Sequence, residues 1–178
     1  MSQLSPAIFF DRDGTLIEDV HYCKNPADVR VLPGVLDALR KLKSAGFRHI
    51  IITNQSAIGR GYMNESDYDA VHARTLELIG ERLLDGAYYC HHHPDFGGVC
   101  ECRKPAPGLL LSAAGDLGLD LAASWMIGDA DTDVTAAHAA GARAVLVAHP
   151  RTAHRRSGTA APEHTAPDLA GAATLIAR

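Results

Sequence analysis

No stretch of the chain approaches the ~20 consecutive apolar residues that a membrane-spanning helix needs. The start, MSQLSPAIFFDRDG, lacks the basic segment and long apolar run of a secretory leader. Basic charge is in deficit: 17 Lys and Arg against 21 Asp and Glu leave a net charge of −4 at pH 7. That argues against a general nucleic-acid binder, which gains affinity by releasing counterions from a basic footprint. Cysteine is scarce, with four in 178 residues: Cys90, Cys100 and Cys102 crowd together and Cys23 stands apart. A disulfide framework belongs instead to small secreted chains. Internal repeats and a domain-sized linker are also missing. The expectation is one domain over residues 1–178, monomeric and cytoplasmic, with no membrane or nucleic-acid partner.

The hydrophobic fraction of 47% and charged fraction of 21% suit a globular domain with a substantial core. Apolar runs at Ala7 to Phe10, His49 to Thr53, Ala87 to Tyr89, Ser124 to Ile127 and Ala144 to Val147 read as buried strands. Helical spacing appears at Val35, Leu36, Leu39 and Leu42, closed by Gly46, and at Leu76, Ile79 and Leu83 in a helix beginning near Asn64 to Ser66. Further helices are expected over Pro107 to Leu117, Asp131 to Ala140 and Asp168 to Ile176. Pro150 to Pro167 has no apolar period and reads as a surface loop. Strands alternating with helices predict an α/β fold with a doubly wound parallel, Rossmann-like sheet. Such sheets bind ligands beyond the carboxyl ends of their strands, where this sequence places Asp11, Asp13, Thr53 and Asp129.

The most informative segment is FFDRDGTL, Phe9 to Leu16. Two carboxylates two residues apart follow a buried strand, and a glycine lets the chain turn away. One carboxylate can act as nucleophile when a metal manages its charge, and the other can move protons. Taken alone, an Asp-x-Asp-Gly string is as readily an acidic surface turn. Three further strings follow in order: IITNQS with Thr53, CRKP with Lys104, and IGDADTD with Asp129 and Asp133.

Together these strings, over roughly residues 7 to 150, resemble the four motifs of the haloacid dehalogenase superfamily of phosphatases. The resemblance implies that Asp11 attacks phosphorus and that Asp13 serves as general acid, then general base. It implies that Thr53 hydrogen-bonds a phosphoryl oxygen and that Lys104 neutralises phosphoryl charge. Magnesium would sit between Asp11, the carbonyl of Asp13 and Asp129, a hard-oxygen set suited to that ion. Asp133 would orient Lys104 or the metal shell. Ala130 departs from the pattern, since relatives often carry lysine or aspartate there.

Cys90, His92, Cys100 and Cys102 supply three thiols and an imidazole, a donor set suited to tetrahedral structural zinc. The plainer alternative is partly buried thiols beside a polar loop. The choice of His92 over His91 and His93 comes from the family pattern Cys-Pro-His-His-Pro, in which His91 here replaces a proline. A zinc loop would run directly into Arg103 and Lys104 and steady them.

Only about twenty residues separate Asp13 from Pro33, too few for a cap domain, so an open cleft is expected. The strings DVHY, TNQSAIGRGYM, YYCHHHP and CECRKPAPG are similar to those of the heptose bisphosphate phosphatases. That likeness implies a sugar bisphosphate substrate, lined by Asp19, Val20, His21, Tyr22, Asn54, Gln55, Ser56, Arg60 and Arg103. Arg60 and Arg103 would hold the second phosphate. Histidinol-phosphate phosphatases share DRDGT, TNQ and the zinc pattern and are the nearest alternative. A polynucleotide 3′-phosphatase and an inactive zinc-stabilised binding module are more distant. On this reading the basic run Arg151 to Arg156 is a solvated loop.

Overall fold

The computed structural model describes residues 4–177. Met1 to Gln3, at the start for which no leader is expected, and Arg178, the last residue of the expected domain, lie outside them. Six strands form one parallel sheet in the order β3-β2-β1-β4-β5-β6. They are β1 (Ser5–Phe10), β2 (Arg48–Asn54), β3 (Gly86–Cys90), β4 (Leu119–Gly128), β5 (Arg143–Val147) and β6 (His164–Ala166). The helices are α1 (Val35–Ser44), α2 (Ser56–Gly59), α3 (Glu65–Ile79), α4 (Pro94–Gly97), α5 (Gly108–Leu117), α6 (Asp131–Ala140) and α7 (Leu169–Ile176). No helix among the described residues is long and apolar enough to cross a membrane.

Side chains on a strand alternate between faces, and both faces of this sheet are covered. Ile8, Phe10, Ile51, Ile127 and Val145 meet Leu39 and Leu42 of α1 and Leu169 and Ala172 of α7. Ala7, Phe9, Ile50, Ile52 and Met126 meet Leu110 of α5 and Val134 and Ala137 of α6. The strands are therefore apolar on both faces, as parallel strands must be. Truncating a fully buried side chain such as Leu42 or Ile51 costs about 2–5 kcal/mol through lost transfer energy and the cavity left behind.

Register sets the site. Phe10 lies opposite Ile51 on β2 and Ile127 on β4. Asp11, Thr53 and Asp129 consequently emerge side by side at the carboxyl edge of the three central strands. Segments differ from expectation where packing overrides pattern. The helix expected to include Leu83 stops at Ile79, because Gly80 turns the chain with a φ of 97° and Leu83 falls in a separate 3-10 turn. β4 extends back to Leu119 because Ser5 and Pro6 pair with it before a register shift. Within the expected Pro150 to Pro167 loop lie a 3-10 turn, Pro150–Arg155, and the three-residue β6, too short to show alternation.

His49 of β2 is fully buried and stands edge-on to Phe10, with ring centroids 5.2 Å apart. Its Nδ1 lies 2.8 Å from the Leu83 carbonyl and donates to it, while Nε2 has no partner. A second ring proton would be buried unpaired, and burial pushes the pKa down from 6.5 to about 4. The unfolded chain then binds the extra proton first, so this group's contribution is present above pH 6.5 and lost as pH falls towards 4. The loss approaches about 3 kcal/mol. Chemical denaturation between pH 7 and 4 should show a shallower decline for His49→Gln than for the native chain; parallel declines would refute this role.

Candidate active site

Lys104 enters the centre of the site on the loop between α4 and α5. Its ammonium is buried, donates to the Ile52 carbonyl at 2.8 Å and to Asp11 Oδ1 at 3.0 Å, and lies 2.6 Å from Asp133 Oδ1 as an ion pair. Burial opposes its charge, but Asp11 and Asp133 outweigh burial and hold its pKa above the ordinary lysine value. Asp133, in the first turn of α6, also accepts from the Ala130 backbone N–H at 3.0 Å. The same carboxylate therefore caps the helix and fixes the lysine. The backbone of Lys104 is clasped by Asn54, whose amide donates to the Lys104 carbonyl at 3.0 Å and accepts from its N–H at 3.1 Å.

The Asp13 carboxylate is held from two sides. Gln55 Nε2 donates to Asp13 Oδ2 at 2.8 Å and to Thr53 Oγ1 at 2.9 Å. Arg12 Nε and Nη2 reach Asp13 Oδ2 at 3.1 and 3.0 Å. The Arg12 side chain is buried and its guanidinium lies over the Tyr68 ring, 5.3 Å from the centroid. Arg12 lies in the turn after β1, where its carbonyl accepts from the Leu16 and Ile17 N–H groups; no period of the sequence marked it as buried.

These groups open into a cleft of about 410 Å³, lined by Asp11, Asp13, Asp19, Val20, His21, Tyr22, Thr53, Asn54, Gln55, Ser56, Arg103 and Lys104. Cys23, Ala57, Ala130, Thr132, Asp133, His154 and Arg155 complete the lining. Asn54 and Gln55 thus sit at the cleft with their amides engaged by Lys104, Asp13 and Thr53, rather than free for a ligand.

Arg60 is not in the lining, contrary to expectation. The short helix α2 turns it towards the cysteine loop, where Nη2 lies 2.5 Å from His93 Nε2 and the guanidinium lies 5.9 Å from the Phe96 ring centroid. Gly59 N–H donates to the His91 carbonyl at 3.0 Å, and a Cβ at Gly59 would meet that oxygen at 2.5 Å. Gly59 therefore serves close approach between two loops, while Gly61 takes a φ of 74° with open space around it. Arg103 does line the cleft, and its Nη1 donates to the His92 carbonyl at 3.3 Å.

Two groups of side chains could hold metal ions. Cys90, His92, Cys100 and Cys102 bring one ligand atom each to within 4.8 Å of one another. The ring nitrogen is Nδ1 of His92, 3.2 Å from Cys102 Sγ and 3.6 Å from Cys90 Sγ. His93 instead engages Arg60 and accepts from the Asp95 N–H. All four cysteines are free of disulfides. Burial pushes the Cys90 thiol up, whereas desolvation of the half-buried Cys100 thiol is outweighed by donors from Cys102 and the Arg103 N–H, which pull it down. The second group is Asp11, Asp129 and Asp133. Asp129 is fully buried, and burial together with the Asp11 charge pushes its pKa up to about 8.

The expected solvated run after Arg151 needs correction. Arg151 is exposed, but Arg155 and Arg156 turn inward. Arg155 Nη1 donates to the Asp13 carbonyl at 2.9 Å and lies 3.3 Å from both Asp129 oxygens, while Nη2 reaches Asp19 Oδ2 at 2.6 Å. Unpaired carboxylates at strand ends draw the tail's cations in, an effect with no local sequence signal.

Residues 101–172 match the HAD-hydrolase-like family model. The chain is 44% identical over 147 residues to the D-glycero-beta-D-manno-heptose-1,7-bisphosphate 7-phosphatase of Yersinia pestis, covering 79% of this chain and 78% of that one. The enzyme of the same name from Escherichia coli K12 is 44% identical, over 79% and 77% of the two chains. The crystal structure of D,D-heptose 1,7-bisphosphate phosphatase from B. bronchiseptica, complexed with magnesium and phosphate, superposes with a TM-score of 0.84 at 31% identity, covering 96% and 97% of the chains.

The buried triad of Asp11, Lys104 and Asp133 yields a direct stability test. Removing one partner from a buried ion pair leaves an uncompensated charge and costs about 3–5 kcal/mol. Urea unfolding of Asp133→Ala should show that loss, and Asp133→Asn, which keeps the acceptor for the Ala130 N–H, should lose less. Equal and small losses would show that the triad contributes little to the fold.

Proposed function

Because the chain belongs to the D-glycero-β-D-manno-heptose-1,7-bisphosphate 7-phosphatase family of HAD-like hydrolases, we propose that it removes the 7-phosphate of that sugar bisphosphate by the following chemistry. The observation that carries the reading is the convergence of Asp11, Asp13, Thr53 and Lys104 on one cleft at the carboxyl edge of the sheet.

An Asp11 carboxylate oxygen attacks the 7-phosphoryl phosphorus, and the bond from phosphorus to the sugar oxygen breaks. Asp13, protonated at this stage, gives its proton to the leaving oxygen. It then takes a proton from the water that attacks the aspartyl-phosphate, releasing inorganic phosphate and restoring Asp11. Arg12 and Gln55 hold the Asp13 carboxylate in one place for both transfers. Lys104, anchored by Asp133 and Asn54, offers positive charge to the phosphoryl oxygens. Thr53 offers its hydroxyl beside it. With Arg60 turned away, Arg103 is the arginine left from the sequence reading to meet the sugar's other phosphate, through a planar fork suited to an anion.

The donor sets support two metals. Asp11, Asp129 and the Asp13 carbonyl offer hard oxygens, and the raised pKa of buried Asp129 indicates a place that favours a cation. Magnesium held there would neutralise phosphoryl charge and orient the phosphorus towards Asp11. Cys90, His92, Cys100 and Cys102 fill a tetrahedral set without an open position, which suits a structural zinc ion. Cysteines free of disulfides suit a reducing compartment, and the reading includes a monomer acting in the cytoplasm.

Phosphate release should be faster from D-glycero-D-manno-heptose 1,7-bisphosphate than from histidinol phosphate, with the 1-phosphate retained in the product. Asp11→Asn should lose turnover while its circular dichroism and melting profile stay native. Preference for histidinol phosphate, or substantial turnover by folded Asp11→Asn, would overturn the reading.

The metals are tested separately. Elemental analysis of protein purified without chelator should find about one zinc per chain, and turnover should require added magnesium. Cys100→Ser should lower both the zinc content and the melting temperature. Zinc-free native protein of undiminished stability would remove the structural ion from the account.

A further inference from the structure

We propose that Arg155 is a built-in competitor for the divalent cation, occupying the cation's oxygen ligands in the metal-free protein and yielding them on binding. This rests on the reading above that a cation is held by Asp11, the Asp13 carbonyl and Asp129.

One terminal nitrogen of Arg155 contacts that whole set. Nη1 lies 2.9 Å from the Asp13 carbonyl, 3.3 Å from each Asp129 oxygen and 4.0 Å from Asp11 Oδ2. Burial opposes the guanidinium charge, but Asp129, Asp19 and Asp11 together outweigh it. The arginine is delivered rather than loosely draped. On one side of it Arg156 donates to the carbonyls of Asp129, at 3.2 Å, and His149, at 2.9 Å. Next in sequence, the Ser157 N–H and hydroxyl both donate to Asp131 Oδ2, at 2.6 and 2.7 Å. These contacts pin the backbone around residue 155 to the loop after β4, and the long side chain supplies the reach.

A guanidinium and a divalent cation cannot share these oxygens. They would compete for the same lone pairs and repel at contact distance. Either cation stabilises the ionised form of buried Asp129, since an isolated buried carboxylate is costly. Asp19 provides the second anchor, 2.6 Å from Nη2, at the cleft wall. It offers the displaced guanidinium a carboxylate to stay with. The tail thereby stabilises the metal-free site and weakens apparent cation affinity, because binding must first break the Arg155 contacts.

The test uses the full chain and Mn2+ as a paramagnetic probe, with free ion followed by electron paramagnetic resonance. Arg155→Met should bind Mn2+ about tenfold more tightly or better, the range expected when charge-assisted contacts no longer oppose binding. Its melting temperature should rise more on Mg2+ addition than that of the native chain. Arg155→Lys keeps a charge without the fork and should fall between them; it also serves if the Met variant does not fold. Equal or weaker Mn2+ binding by folded variants, with binding by the native chain intact, would overturn the competitor role while leaving the cation site standing. Absence of Mn2+ binding in both native and variant chains would remove the site and the proposal with it.

Discussion

The burial of Lys104 between Asp11 and Asp133 is the constraint on which the rest of the site depends. A buried ammonium is tolerable only with opposite charge and hydrogen bonds on every side. Meeting that need draws together the end of β1, the end of β2 through the Ile52 carbonyl, the first turn of α6 and the loop before α5. Four segments remote in sequence must arrive in register, and the parallel sheet delivers three of them at one edge. Fold and chemistry are linked through this one cation.

The central acids outnumber what Lys104 can balance. Asp11, Asp129 and Asp133 lie within one metal-sized volume, with Asp13 and Asp19 at the cleft wall. Arg12 meets Asp13 from the core side, and Arg155 meets Asp129 and Asp19 from the tail. A net-acidic chain that handles an anion thus holds its cations in fixed places, where they act at short range, rather than spreading them over its surface. That distribution explains how a charge of −4 coexists with a phosphoryl-binding centre.

The central strands and four-motif order were legible in the sequence because each depends on local pattern: apolar strands ending in Asp, Thr or Gly-Asp, helices closed by glycine. Asp11 and Thr53 stand at such strand ends, whereas Lys104 and the choice of His92 were drawn from the resemblance to the superfamily's motifs, since Lys104 sits on a loop without regular pattern. Arg60 was expected at the second phosphate from the likeness of TNQSAIGRGYM to the heptose enzymes, whereas α2 turns it towards His93 and Gly59 serves close approach to the His91 carbonyl. Arg155 was illegible because its partners lie 26 and 142 residues away. A tail without apolar period carries no mark of the acids it will meet. β6 escaped because three residues on a sheet edge cannot display a period.

The carboxylate-lined cleft sits directly beside a cluster of thiols. Residues 91–107 contain one short helix, α4, and the tips of this stretch are exposed at Phe96 and Val99. Such a segment has little apolar burial to offset the entropy of ordering it. Yet it must place Arg103 at the cleft and Lys104 in the core, directly after Cys102. A metal ion held by Cys90, His92, Cys100 and Cys102 would supply the missing constraint at the loop's base, one residue before Arg103. Cys90 belongs to β3, so such an anchor would carry the sheet's rigidity into the loop. The Asn54 clasp on the Lys104 backbone adds a second tie, from the end of β2. The two catalytic-side cations are therefore fixed by their backbone neighbours rather than by a large hydrophobic contact, which is how a short chain without a cap domain can hold a buried lysine at the floor of an open cleft.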